Sequence, residues 1–114
     1  MTAGQFRRLA LGLPEAVASS HFRHPDFRIR NKIFATLGYP DPHWGMVKLT
    51  PEQQKELLGL APETFRPAAG AWGRRGSTLV LLSGTTPATL GPILRRAWEN
   101  ITVRSSPGKK LRRR

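Results

Sequence analysis

The sequence predicts a two-layer α+β domain: an antiparallel sheet with helices packed on one side. Three observations predict it. Apolar residues recur at helical spacing in three separate stretches, around Phe6–Leu13, Leu57–Ala61 and Leu90–Ile101. Between the first two the period changes to two, with Phe27 and Ile29 alternating with Arg28 and Arg30, and Ile33, Ala35 and Leu37 alternating with Phe34 and Thr36. Short polar turns join these runs, which favours antiparallel neighbours over crossover connections.

The elements follow in order. Thr2 and Gln5 form a capping box for the first helix, whose apolar face is Phe6, Leu9, Ala10 and Leu13 and whose end is marked by Pro14. A strand is expected from about Val17 to Phe22. Two further strands meet at a hairpin turn at Asn31, a residue that tolerates positive φ. The loop "GYPDPH" holds two prolines unsuited to central strand pairing, and "WGMVKL" returns as the next strand. Thr50, Pro51 and Gln53 open a second helix, with Leu57, Leu58 and Ala61 as its buried stripe. The segment "ETFRPAAGAWGRRG" reads as irregular, anchored by Phe65 and Trp72, and "STLVLL" as a short buried strand. In the last helix Pro92 favours a start at Thr89 or a kink, because an interior proline costs about 3 kcal/mol.

These elements make one domain over residues 1–103. Residues 104–114 carry six of the nineteen basic residues, no acid and no periodic pattern, so a disordered basic tail is expected there. The charge balance is strongly positive: nineteen Lys and Arg against seven Asp and Glu, a net charge of +12. A body this basic is drawn toward polyanions. With no cysteine, disulfides, thiolate metal sites and cysteine nucleophiles are excluded. No stretch has the length and apolarity of a signal peptide or a membrane span, so a cytoplasmic protein without membrane contact is expected, and a monomer.

The stretch "HFRHPDFRIRNKIFATLG", His21 to Gly38, concentrates the candidate chemistry. If Phe27 and Ile29 face the core, Arg28 and Arg30 share the opposite face, with Arg23 nearby and Lys32 at the turn. Such a ribbon can lie along DNA with its guanidinium groups on phosphates, and the same alternation also describes a plain solvated face. Arg74 and Arg75, in "GAWGRRGS", would form a second basic loop; the glycines there lead into a strand, so the segment is not a P-loop. His21, His24 and Asp26 are metal-ligand residue types, but a spacing of three on one strand separates the imidazoles, so no metal site and no cofactor are expected. A turn at Pro25, with the His24 imidazole bonded to backbone, is the simpler reading. The carboxylates are scattered and no nucleophile elbow or HExxH pair occurs, so no catalytic residues are assigned and no enzyme is expected.

Several blocks, taken in order, resemble the MmcQ/YjbR family of small bacterial proteins: "HFRHPDFRI", "KIFATLGYPD", "WGMVKLTPEQQ", "APETF", "GAWGRRG" and "LRRAWEN". The resemblance covers roughly residues 2–101. It implies a compact α+β fold similar to the secretion-chaperone class, and DNA binding by likeness to a "double wing" architecture. Pro92 and the basic tail are not required by it. Resemblance and charge together lead to one expectation, a non-enzymatic DNA-binding protein using Arg23, Arg28, Arg30, Lys32, Arg74 and Arg75, assisted by the tail. The alternative is a small-molecule or protein-binding module with a pocket near His21, Trp44 and Trp72, taking an acidic ligand or protein partner.

Overall fold

Residues 1–103 are described here from a computed structural model; the expected basic tail, 104–114, lies outside the described residues. The chain runs α1 (Ala3–Leu11), β1 (Val17–His21), β2 (His24–Ile29), β3 (Lys32–Leu37), β4 (Trp44–Lys48), α2 (Pro51–Leu60), β5 (Phe65–Pro67), α3 (Gly70–Arg74), β6 (Ser77–Leu81) and α4 (Pro87–Thr102), with a single 3-10 turn at Leu82–Gly84. Six strands form one antiparallel sheet in the order β1-β2-β3-β4-β6-β5. The segment read as irregular therefore contributes an edge strand and a short helix.

Both predicted capping boxes form. The hydroxyls of Thr2 and Thr50 accept from the amides of Gln5 and Gln53, whose side chains accept in return from the cap amides. Helices α1 and α4 pack on one face of the sheet, where Phe6, Phe27, Phe34, Val47, Val80, Leu90 and Leu94 make the main core. Gly45 has a steric reason there: a Cβ would lie 2.8 Å from the Phe6 ring. Gly76, at φ +116°, leads α3 into β6 with its α-carbon against the Leu49 carbonyl, where no side chain fits.

Four details depart from the sequence reading. The alternation of β3 is broken by a bulge: Phe27 pairs with Ala35 but Arg28 pairs with Ile33, so Phe34 is the extra residue and joins the main core. In α2 the buried residue is Gln54, whose amide donates to the carbonyls of Gly73 and Ser77, while Leu57, Leu58 and Ala61 are only partly buried. Helix α4 begins at Pro87 with Thr86 as its cap and includes Pro92. Ala88, whose carbonyl loses its partner, is exposed, as is Pro92, so water can serve that carbonyl. Finally, Trp72 does not plug the core; it is 60% exposed.

Candidate functional site

Two two-residue turns define the ends of β2. Phe22 and Arg23 (φ 48° and 67°) join β1 to β2, and Arg30 and Asn31 (φ 55° and 64°) join β2 to β3. Consecutive left-handed residues match the twist of a hairpin, and only Asn31 is of a type that adopts them cheaply. The expected turn at Pro25 is thus displaced to Phe22–Arg23, and His24 through Asp26 lie in strand. The two turns sit at opposite ends of a six-residue strand, roughly 17 Å apart at about 3.3 Å per residue. Arg23 and Arg30 cannot contribute to one patch.

Arg28 is not free either. Asp26, fully buried, accepts at Oδ1 from Arg28 Nε (2.8 Å) and at Oδ2 from Arg28 Nη2 (3.1 Å) and His21 Nδ1 (2.7 Å). The Arg28 guanidinium, first of all, holds the Asp26 carboxyl below the usual carboxylate range, outweighing burial. Arg30, already in the turn, leaves the strand alternation and donates to the Thr102 carbonyl (3.4 Å) at the end of α4. Arg28 and Arg30 therefore do not share a face, contrary to the simple alternation.

The remaining cations fall into better order. A surface cleft of about 410 Å³ brings together Lys32 at the start of β3, Lys48 at the end of β4 and Arg75 at the end of α3. Thr50 and Pro51, at the amino end of α2, line it as well, as does Asn100 of α4. Among the described residues no carboxylate lies within ion-pair distance of Lys32, Lys48 or Arg75. Arg30 stands in the adjacent turn, and Arg74 is the exposed residue before Arg75. Helix α4, which ends here at Thr102, is the point from which the chain continues into its six tail cations.

The other face of the sheet carries a second concavity, of about 260 Å³. Thr36, Met46 and Leu79 form its floor, and Ala68, Ala69 and Trp72 its far wall. His21, Phe22, His24 and Tyr39 close the near side. Trp44 does not line it; that ring lies in the neighbouring cluster with Met46, Ala68 and Leu79, with the Arg66 guanidinium 4.5 Å above it. His21 and His24 face one another across the β1–β2 ladder. No group of three or more His, Asp or Glu side chains suited to a metal ion occurs among the described residues.

The YjbR family model matches residues 11–100. The chain belongs to the YjbR family. The fold agrees with that of a solved YjbR-like structure, the crystal structure of Deinococcus radiodurans protein DR2400, which carries a DUF419 domain: the TM-score is 0.76 at 21% identity, covering 89% of this chain and 78% of that one. No curated protein matches the chain. No helix among the described residues of this YjbR protein is long and apolar enough to cross a membrane.

Sequence reasoning missed Lys48 and the burial of Asp26. Lys48 had a readable signal, being a cation two residues before a capping box and so at a strand end. Asp26 had none: its alternation assigns it to the outer face, and nothing local says that Arg28 and His21 will enclose it.

Proposed function

We propose that this YjbR protein is a non-enzymatic DNA-binding protein that holds the phosphate backbone at one end of its sheet. The interface is the cleft of Lys32, Lys48 and Arg75, flanked by Arg30 and Arg74 and extended by the tail. The single observation that carries this reading is the convergence of Lys32, Lys48 and Arg75, without carboxylate partners among the described residues, beside the helix end that leads into six more cations. The amino end of α2 adds a favourable dipole for anions. Arg23, at the far end of β2, and Arg28, bound to Asp26, stand outside this interface. Contacts of this kind position a phosphate backbone and carry no base preference.

The test is anisotropy of labelled duplex DNA at several salt concentrations, using the full chain. Four phosphate contacts, from Arg30, Lys32, Lys48 and Arg75, give a slope of log K against log salt near −3.6, at about 0.9 per contact, and tail contacts steepen it. Lys32→Ala combined with Lys48→Ala and Arg75→Ala is expected to weaken binding at least about ten-fold and to flatten the slope by about 2.7. Arg23→Ala is expected to leave both nearly unchanged. If replacing the six tail cations by serine abolishes binding while the triple variant binds like the wild type, the folded domain is not the DNA-binding element.

A further inference from the structure

We propose that the 260 Å³ concavity on the open face of the sheet is a binding site for a flat one- or two-ring heteroaromatic molecule bearing a ring N–H. This site is separate from the basic cleft and does not rest on the DNA-binding reading.

Shape gives the ring. Phe22, His21, His24 and Tyr39 form a continuous row of edge-to-face neighbours, with centroid separations of 6.0, 6.5 and 5.8 Å. Trp72 stands on the opposite wall. A planar molecule entering between them stacks on aromatic surface on both sides, and a volume of 260 Å³ is below the usual range for drug-sized ligands. Three of the large hydrophobic residues most exposed to solvent, Phe22 (89%), Trp72 (60%) and Tyr39 (46%), are gathered around this one concavity. Such clustering is rare on a surface with no partner.

Chemistry gives the N–H. Among the described residues no Lys, Arg, Asp or Glu lines the concavity, so a ligand held there needs no formal charge. Asp26 is ionised against Arg28 and can only accept, so His21 Nδ1 must carry the proton between them. With Nδ1 committed to Asp26, the neutral form of the ring offers its remaining nitrogen, Nε2, as an acceptor on the side lining the concavity. A ring N–H is the complementary group.

The backbone supplies an independent sign. Phe22 holds φ 48°, a left-handed conformation that disfavours a bulky residue, yet it remains 89% exposed, with the His21 ring edge-on at 6.0 Å. A strained, solvent-facing aromatic at the mouth of a concavity is understandable if its role is met when a ligand arrives.

The experiment titrates the full chain with indole and with benzofuran, its near-isostere lacking the N–H, following the Met46 methyl resonance by NMR. Saturable shifts with indole at a dissociation constant of about 1 mM or tighter are expected for a ligand of this size, with benzofuran about five-fold weaker for want of one hydrogen bond. His21→Phe keeps a ring and should erase that preference. Phe22→Asn relieves the turn, so it should raise the melting temperature by roughly 2–5 °C while weakening indole, and a better-folded variant that binds less cannot be explained by unfolding. Equal binding of both probes, no saturable shift, or unchanged binding by the Trp72→Ala variant would overturn the proposal. So would self-association abolished by Phe22→Asn, which would make a second copy the occupant.

Discussion

The two faces of the sheet are built by different physics. On the face under α1 and α4, Phe6, Phe27, Phe34, Val47 and Val80 are sealed from water, and apolar periodicity accounts for all of them but the bulge residue Phe34. The opposite face has a short cover, α3, and toward its β1 edge holds a buried carboxylate, Asp26 on β2, enclosed by Arg28 and His21. Hydrophobic burial is roughly additive in area and tolerant of detail, whereas a buried charge is tolerable only with its partners in place. The covered face stabilises the molecule; the open face is where its polar chemistry is arranged.

That contrast predicts a ranking of costs. The largest belongs to the covered face: Phe27→Ala leaves a cavity at a fully buried position and should cost about 3–5 kcal/mol in urea denaturation. Asp26→Asn, on the open face, should cost less, about 1–3 kcal/mol, because Arg28 and His21 lose an ionic acceptor but are each partly solvated. A result in the opposite order would break the comparison. The smallest effect is the pH dependence. The Asp26 carboxyl titrates below its ordinary value in the folded chain, so the unfolded chain takes up its proton first. The stability it contributes is complete above the ordinary value of 3.8 and is lost as pH falls below that toward the lowered folded value. Acid titration of stability should show this loss in the wild type, and Asp26→Asn should lack that component.

Legibility in the sequence follows the range of each interaction. Both capping boxes, the β2–β3 turn at Asn31 and the apolar faces of α1 and α4 depend on residues within a few positions of one another, and all were readable. The β3 bulge was not, because Phe34 enters the core only through a shift in pairing with β2. Strict alternation would have left it outside. The buried Gln54 escaped for the same reason: its two acceptors, Gly73 and Ser77, lie nineteen and twenty-three residues away. Of the residues assigned to DNA contact, Lys32 and Arg75 line one cleft, Arg30 and Arg74 adjoin it, and Arg23 and Arg28 do not take part.

By itself the sequence determined the fold class, the starts of α1 and α2, most of the strands and the excess of positive charge, since each follows from local periodicity, capping chemistry or composition. Which cations act together was decided only by the tertiary structure. Charge has no direction along a chain, and it becomes a surface only when strand ends distant in sequence are brought side by side. Lys32, Lys48 and Arg75 meet because the start of β3 and the ends of β4 and α3 lie at one end of the sheet. Arg28, two residues from Asp26, is removed from that surface because a carboxylate excluded from water must have a cation against it.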